Sequence, residues 1–596
     1  MRLEEYWGVG PKTRELLETE LGVEDAVTAI ESADVRTLTE AGLSRGRATR
    51  ILRRANGEAG MDVLATSDGR SVYKELLELA RQYAVTQDAA DRIQVLTPTP
   101  SHETRVKRLH AVLSARDTWT DLDEATRETV LDAFAEYDET GGGERPAVEA
   151  ALALREADVT EGAFDAIAAV DPDALAEAAD ALAALDDGRV RDGVDDDLDR
   201  LRDALTAVES ASSSPVEVVD AVRDGDVRRT DAFRDSFVDH LAGKPGVTAG
   251  HVREAMPDEA ADATDFVART LRALVDDLRG AVEDREAAVA ADLREEIEAA
   301  RADVDVAVEA VGDIAFHLSL ARFAEAHDLT RPEFVDDGVA VVGARNLSLA
   351  ASDEAVQPVT YALGEHDVDE VPSTRDTADA AVGVPGEERV SVLTGANSGG
   401  KTTLLETLCQ VVLLSAMGLP VPAERAAVAD FDTVVFHRRH ASFNAGVLES
   451  TLRSIVPPLS ASDRTLMLVD EFEAITEPGS AADLLHGLVR LAVDEGALGT
   501  FVTHLADDLE PLPDAARTDG IFAEGLTPDL ELEVDYQPRF GTVGRSTPEF
   551  IVSRLVADAS DRTERAGFET LAEAVGHETV QRTLAEAWEE RPADGR

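Results

Sequence analysis

The residues with the clearest chemistry form a glycine-rich run between an apolar segment and a helical segment. The run "LTGANSGGKTTLLETL" covers residues 393 to 408 and contains the pattern G-x-x-x-x-G-K-[ST]. Glycines allow a tight turn that points backbone N–H groups at phosphate oxygens, and the following helix adds the positive end of its dipole. The lysine supplies a mobile positive charge, and the threonine supplies a hydroxyl for Mg²⁺. The pattern therefore predicts a nucleoside triphosphate site made by Gly395, Ala396, Asn397, Ser398, Gly399, Gly400, Lys401, Thr402 and Thr403.

An acidic pair supplies the second chemical element. The apolar run "RTLMLVDEF" at 464 to 472 predicts a strand that ends in Asp470 and Glu471. One carboxylate at this position can hold Mg²⁺ together with Thr402, and the other can orient an attacking water. We therefore predict Asp470 on the metal side and Glu471 as the catalytic base. The next apolar run, "GTFVTH", ends in His504, whose imidazole can sense the γ-phosphate.

Loop, acidic pair and histidine thus follow three successive predicted strands. An acidic pair can also cap a helix, and a single histidine is often structural. The order of all three nevertheless predicts an ATPase that uses ATP and Mg²⁺.

The elements around this site predict a multidomain protein. From 331 to 555, short apolar runs alternate with helical patterns, which is typical of an α/β P-loop domain. From 58 to 330, helical patterns dominate, and apolar residues recur at spacings of three, four and seven in a long stripe. Residues 556 to 596 predict a short helical extension.

The N-terminal residues 1 to 57 contain one unit used twice, a glycine-containing tight turn directly before a basic helix. This resembles the tandem helix-hairpin-helix module, a small all-α unit whose hairpin amides and helix N-termini grip DNA phosphates. The second hairpin departs from the usual small-apolar-glycine pattern. The alternative is a helical bundle used for protein contact. The DNA-binding residues that the resemblance implies are Gly8, Gly10, Lys12, Gly42, Arg45, Gly46 and Arg47.

The charge of the chain is extreme. Its formal net charge is −63, with 44% hydrophobic and 30% charged residues. The acidic residues are spread along the chain, which is typical of adaptation to multimolar salt, where the Debye length is about 3 Å at about 1 M. Such acidity argues against nucleic acid as a partner. The first 57 residues are an exception, because they carry nine basic and ten acidic residues and are therefore nearly neutral.

Cysteine content and hydropathy favour a cytoplasmic protein without membrane contact. Cys409 is the single cysteine of the sequence, so no disulfide can form within the chain. The N-terminal sequence "MRLEEYWGVG" does not resemble a signal peptide. The longest charge-free stretch, residues 407 to 423, is too short to span a bilayer.

Four segments together resemble one ATPase family. The segments "TGANSGGKTT", "LESTLRSI", "LVDEFEAITEPGSAADLLHGL" and "TFVTHL" are similar to the MutS family of ABC-type ATPases, and nearest to its second-type branch in archaea and bacteria. The resemblance covers roughly residues 71 to 555 and implies lever and clamp helices before the ATPase domain. It places Asn397 inside the phosphate loop. It also implies that Ser450 and Thr451 contact the γ-phosphate held by another subunit, so that the active unit is a homodimer, although "LESTL" departs from the branch's usual "SLSTF".

The resemblance also implies a partner and a cycle. We expect binding to DNA, duplex or branched, without sequence or mismatch specificity, because no room exists for a mismatch-wedge domain before residue 71. ATP binding and hydrolysis would close and open a clamp. The only "LHG" of the sequence belongs to the predicted ATPase helix, and we expect no nuclease. A chromosome-organising ATPase with coiled arms and a nucleotide-switched protein scaffold are the alternatives.

Overall fold

A computed structural model of the chain describes its 596 residues except for a set of short segments. These segments are 1–2, 4–5, 7–8, 32–33, 187, 224–229, 353–354, 369–383, 396–399, 440–444, 462–463, 476–477, 528, 545–547, 560 and 590–596.

The α-helices of the described residues follow one another through most of the chain. In chain order they are α1 (Pro11–Glu20), α2 (Val23–Glu31), α3 (Val35–Glu40), α4 (Arg45–Met61), α5 (Ser67–Arg81), α6 (Gln87–Val95), α7 (His102–Asp121), α8 (Glu124–Glu139), α9 (Glu144–Glu156), α10 (Asp165–Ala168), α11 (Pro172–Ala184), α12 (Asp196–Ser213), α13 (Pro215–Arg223), α14 (Thr230–Ala242), α15 (Ala249–Glu254), α16 (Ala263–Ala299), α17 (Arg301–Ala326), α18 (Leu347–Ala350), α19 (Gly400–Ala416), α20 (Ala445–Ala461), α21 (Pro478–Asp494), α22 (Pro548–Asp558), α23 (Arg562–Val575) and α24 (His577–Glu589).

The strands lie mainly after α17. In chain order they are β1 (Leu185–Asp186), β2 (Arg189–Val190), β3 (Glu333–Val335), β4 (Val339–Ala344), β5 (Val359–Leu363), β6 (Val390–Gly395), β7 (Arg425–Ala429), β8 (Thr433–His437), β9 (Thr465–Val469), β10 (Leu498–Val502), β11 (Ala516–Leu526) and β12 (Leu532–Phe540). The structure thus confirms a helical region together with an α/β region of mixed sheets.

The chain divides into two compact units. One unit comprises residues 1–127 and 313–596, and the other comprises residues 128–312. Among the described residues of the second unit, the only strands are the antiparallel pair β1 and β2, and the other regular elements are helices. Its longest helix is α16, which has 37 residues and a rise of about 55 Å. The apolar stripe predicted from the sequence is buried on this helix, as at Leu271, Leu274 and Leu278.

The first unit contains the sheet that positions the candidate site. Its strand order is β12-β11-β6-β10-β9-β8, in which β12 alone pairs antiparallel. Strands β6, β9 and β10 are buried at every residue, as is typical of largely apolar strands in a parallel sheet covered on both faces. A second sheet has the order β3-β7-β4-β5.

A segment before α5 extends the outer edge of the large sheet. Leu64 forms a parallel bridge with Val434 of β8, and the Val434 N–H donates to the Val63 carbonyl at 2.7 Å. The hydroxyl of Thr66 donates to the Phe436 carbonyl at 2.6 Å and also caps α5. These contacts satisfy backbone groups of an otherwise open edge strand. Residues 63 to 66 therefore attach the start of the helical region directly to the α/β region.

A buried ion pair joins the two sheets beside the P-loop strand. The Arg517 Nε lies 3.0 Å from an oxygen of Asp519, and both side chains are almost fully buried. The same carboxylate accepts hydrogen bonds from Ser391 of β6 at 2.7 Å and from Tyr361 of β5 at 3.0 Å. Because a buried charge must be paired and hydrogen-bonded, this network fixes β5, β6 and β11 relative to one another.

The four N-terminal helices share a core of their own. Buried residues of this core include Leu17, Ile30, Leu38 and Leu52, and Val95 of α6 packs against them. Helix α4 continues to Met61, so the expected boundary at residue 57 falls inside a helix.

None of the described helices is long and apolar enough to cross a membrane.

Candidate functional site

Three parallel strands end at one edge of the large sheet. Strand β10 lies between β6 and β9, with Val502 opposite Leu393 and Phe501 opposite Val469. The carboxyl ends of all three strands therefore lie side by side. This strand order brings together the loop after Gly395, the acidic pair at 470–471 and the segment at 503–504.

Two glycines of the phosphate loop lie where a side chain would clash. Gly395 has φ +128°, and a Cβ there would lie 2.0 Å from the Ile521 carbonyl oxygen. A Cβ at Gly400, the first residue of α19, would lie 2.4 Å from the ring of Tyr536. These positions require glycine because of close approach, and Gly395 also because of its left-handed backbone. The predicted ligands Ala396, Asn397, Ser398 and Gly399 lie outside the described residues.

The lysine of the loop is buried and points back at the loop. The Lys401 Nζ donates a hydrogen bond to the Gly395 carbonyl oxygen at 2.9 Å, and the residue is 4% exposed. Burial lowers the pKa of Lys401, while the nearby carboxylates of Glu471 and Asp470 act in the opposite direction. Thr403 follows in the first turn of α19, and its carbonyl accepts from the Thr407 hydroxyl at 2.8 Å.

Thr402 and Asp470 form the predicted metal corner. The Thr402 hydroxyl donates to Asp470 Oδ2 at 2.7 Å, and Asp470 is 3% exposed. Burial raises the pKa of Asp470, and the Thr402 hydrogen bond lowers it in part. The second oxygen, Oδ1, is buried and has no hydrogen-bond partner among the described residues. A hydroxyl beside a carboxylate oxygen without a donor fits a Mg²⁺ ion and its bound water.

Both oxygens of the predicted base are occupied. Glu471 Oε1 lies 3.1 Å from His504 Nε2, and Oε2 lies 2.7 Å from Arg439 Nη1. The Glu471 side chain is 12% exposed, whereas that of Arg439 is 59% exposed. The backbone of Glu471 is left-handed, with φ +40°, and its N–H donates to the Val502 carbonyl at 3.1 Å. A non-glycine residue in this conformation is strained and is typical of a functional turn.

A third carboxylate orders the histidine segment. Glu473 Oε1 accepts from the Thr503 hydroxyl at 2.9 Å and from the His504 backbone N–H at 2.6 Å. The other oxygen of Glu473 is buried without a hydrogen-bond partner among the described residues. Glu473 therefore fixes the backbone at Thr503 and His504, and this position lets the His504 side chain contact Glu471.

The predicted signature residues lie on α20. Ser450 is exposed, while Thr451 is 4% exposed and its carbonyl accepts from the Ser454 hydroxyl at 2.8 Å. Of the two, Ser450 alone is accessible to another molecule.

Two helices of the N-terminal region begin without a side-chain cap. Gly10 is the N-cap of α1 and Ser44 is the N-cap of α4, and neither gives a side-chain hydrogen bond to its helix. By contrast, side chains of Thr66, Thr86 and Ser101 cap α5, α6 and α7. In α1 and α4, by contrast, no side chain of the N-cap residue accepts a hydrogen bond from the first N–H groups of the helix.

The other predicted DNA contacts are placed as follows. Lys12, Gly42 and Gly46 are exposed, and Gly42 has φ +95°. Arg47 is also exposed, but its Nη2 donates to the hydroxyl of the buried Thr13 at 2.5 Å. Gly8 and the side chain of Arg45 lie outside the described residues.

Comparison with known proteins finds relatives that agree with one another in family. No family model matches the chain. The DNA-binding protein MutS2 of Pyrococcus furiosus is 41% identical over 246 residues, which cover 41% of this chain and 40% of that protein. The DNA mismatch repair protein MutS 2 of Halobacterium salinarum is 27% identical over 352 residues, covering 55% of this chain and 37% of that protein. The curated relatives that the chain matches are MutS2 and MutS 2 proteins.

These relatives also confirm the second-type branch predicted from the motifs. The Endonuclease MutS2 of Thermus thermophilus is 33% identical over 175 residues, which cover 28% of this chain and 23% of that protein. The chain spans less than half the length of each of these three curated relatives.

Two residues of the site were not predicted from the sequence. Arg439 follows β8, whose carboxyl end lies at the same sheet edge, and it contacts Glu471. Glu473 lies two positions after Glu471 in "DEFE" and holds Thr503 and His504. The charged pair after the run "DTVVFH" was the signal that could have indicated Arg439. No comparable signal indicated Glu473.

Proposed function

We propose that this chain is a Mg²⁺-dependent ATPase that binds DNA without sequence or mismatch specificity. Its ATP cycle would open and close a clamp formed by the helical region. The single observation that carries the ATPase proposal is the 2.7 Å hydrogen bond between Thr402 and Asp470, with Lys401 and Glu471 beside it. Phosphate loop and acidic pair meet there as phosphoryl transfer requires.

When a triphosphate binds, Lys401 would exchange its hydrogen bond to the loop backbone for one to a phosphate oxygen. Its Nζ donates to the Gly395 carbonyl at 2.9 Å, and phosphate oxygens are stronger acceptors for a buried ammonium. Glycine at 395 and 400 keeps the loop backbone close to the phosphates. Thr402 and Asp470 Oδ1 would hold Mg²⁺, which when bound neutralises charge on the outer phosphate oxygens.

Water activation would fall to Glu471. A general base needs one carboxylate oxygen for the attacking water, yet His504 and Arg439 occupy both oxygens of Glu471. The exposed Arg439 is the contact that can be released at lower cost, because a solvated ion pair contributes little. Glu471 would then accept the water proton, while Glu473 keeps His504 in place to meet the γ-phosphate.

We further propose a homodimer with composite sites. The exposed Ser450 on α20 supports this part, because a side chain on the surface can reach a nucleotide held by a second copy. Joining and parting of two ATPase regions would transmit the ATP cycle to the helical region.

The DNA part of the proposal is supported by the N-terminal helices. Helices α1 and α4 begin at Gly10 and Ser44 without a side-chain cap, and uncapped helix N-termini bind phosphate. The first 57 residues carry nine basic and ten acidic residues in a chain of net charge −63, so repulsion of DNA is weakest there.

A substitution at the first hairpin tests this DNA contact. Gly10 has φ −79° and ψ 175°, and a Cβ there would meet no atom within 4 Å. Aspartate fits such an N-cap, so Gly10→Asp is expected to keep or raise stability while its carboxylate occupies the N–H groups of α1 and repels phosphate. We expect DNA affinity to fall by about tenfold or more, as for loss of a charge-assisted phosphate contact. Fluorescence anisotropy with a labelled duplex in high KCl measures it.

Matched variants sharpen this test. Asp195→Asn removes a capping carboxylate from α12, outside the hairpins, and is expected to leave DNA affinity unchanged. Ser44→Asp places the same carboxylate at α4 and reports on the second hairpin. Unchanged affinity in both Gly10→Asp and Ser44→Asp would remove the hairpins from DNA binding and favour a protein-contact role.

A further inference from the structure

A groove in the first unit is lined by several positively charged side chains, as an anion-binding site requires. It lies between α4, α5 and α6 and has a volume of about 720 Å³. We call it the basic groove and define it by Gly46, Arg50, Arg53, Lys74, Arg81 and Gln94, which are among its lining residues. Among the described residues that line it, none carries a carboxylate.

This charge is unusual for the chain. Acidic residues number 120 and basic residues 57, so a cation on this protein usually has acidic neighbours. Arg50 and Lys74 are both exposed, and within the described part of the chain neither forms an ion pair. Arg81 pairs with Glu78 at 3.1 Å and is 35% exposed. Cations that the protein leaves unpaired on one concave surface are available to a ligand with negative charges.

One cation of the groove is fixed in place. The Arg53 Nε donates to the Gln94 carbonyl oxygen at 2.8 Å, and its guanidinium lies 5.7 Å from the centre of the Tyr73 ring. These contacts join α4 to α5 and α6 and hold one guanidinium in the wall of the groove. The remaining donors of Arg53 and the exposed side chains of Arg50 and Lys74 complete a site for several phosphate groups.

We propose that the basic groove binds successive phosphates of one DNA strand, continuing the path that starts at the N-terminus of α4. The inference rests on the proposed DNA binding and adds a second contact to it. Gly46 lines the groove and lies in the first turn of α4, so a strand docked at that helix start enters the groove directly. Gly46 and Arg53 are separated by about 10 Å of helix rise, so the groove is long enough to contact more than one phosphate of a strand.

The test uses the full chain and a matched pair of double variants. Arg50→Gln/Lys74→Gln removes two exposed cations of the groove. The control Lys107→Gln/Arg565→Gln removes two exposed cations elsewhere, each paired with a carboxylate four residues away. Binding of a labelled duplex is measured by fluorescence anisotropy over a range of KCl in which circular dichroism shows every variant folded.

We expect the groove variant to bind at least about tenfold more weakly than the control and to lower the slope of log K against log salt by about one to two. The single variant Lys74→Gln should show about half of that change in slope. Equal affinity and equal slope in groove variant and control would overturn the inference.

Two further outcomes distinguish a failure of the groove assignment from a failure of the proposed DNA binding. If the unaltered chain binds no duplex, the proposed DNA binding itself fails. If it binds duplex and the groove variant loses only the binding of inorganic triphosphate, measured by calorimetry, then the groove takes a free polyphosphate and the DNA assignment is wrong.

Discussion

Replacing Glu471 with glutamine is expected to lower the rate of ATP hydrolysis by about 10²- to 10⁴-fold, because a positioned general base contributes that much. Glutamine has the size of glutamate and can still contact His504, but it cannot accept the proton of the attacking water. The phosphate-binding residues Lys401 and Thr402 are unchanged, so ATP should remain bound with affinity near that of the unaltered chain. Single-turnover hydrolysis and equilibrium binding of a fluorescent ATP analogue measure the two effects separately.

The control for this variant is Glu103→Gln, which also removes one carboxylate. Glu103 is 78% exposed and pairs with Lys107 on α7, outside the site. It should hydrolyse ATP at the rate of the unaltered chain. Normal turnover in Glu471→Gln would remove Glu471 from the role of base, and a loss of ATP binding in that variant would assign it a structural role instead.

Replacing Lys401 with alanine is expected to abolish ATP binding. The ammonium is buried beside the loop, and alanine leaves the outer phosphates without a charge-assisted partner. In a composite dimer, a Lys401→Ala chain still presents Ser450, whereas a Ser450→Ala chain still binds ATP. Each homodimer should be inactive, and mixing the two should restore roughly a quarter of the original activity, since half of the random dimers carry one complete site.

The mixing experiment decides between one-chain and two-chain sites. Full activity in Ser450→Ala alone would exclude Ser450 from the site. An inactive Ser450→Ala that mixing does not rescue would place Ser450 in the site of its own chain. Lys107→Ala, which removes a lysine exposed at 76%, should change neither ATP binding nor turnover.

Much of the site follows from sequence because motif spacing and strand ends are local properties. The glycine pattern indicates a strand-to-helix turn, and apolar runs that end in Asp470 or His504 indicate buried strands with polar residues at their ends. Hydrogen bonds join Thr402 to Asp470 and Glu471 to His504 in the structure. The α/β region and the helical region were predicted for the same reason.

The features of the site and fold that were not predicted from the sequence depend on contacts between segments far apart in the chain. The ion pair of Arg439 with Glu471 requires β8 to lie beside β9, and strand order is not encoded in either run. The attachment of residues 63 to 66 to β8 joins segments far apart in the chain. The basic groove likewise combines α4 and α5, whose cations follow no shared spacing.

We propose that one chain couples ATP hydrolysis at Lys401, Asp470 and Glu471 to DNA bound at its N-terminal helices. The most direct measurement is ATP turnover with Mg²⁺, with and without duplex DNA, in the unaltered chain and in Gly10→Asp. We predict turnover that requires Mg²⁺, changes severalfold when DNA is added, and responds less to DNA in Gly10→Asp. Absence of turnover, or turnover that DNA leaves unchanged, would contradict the claim.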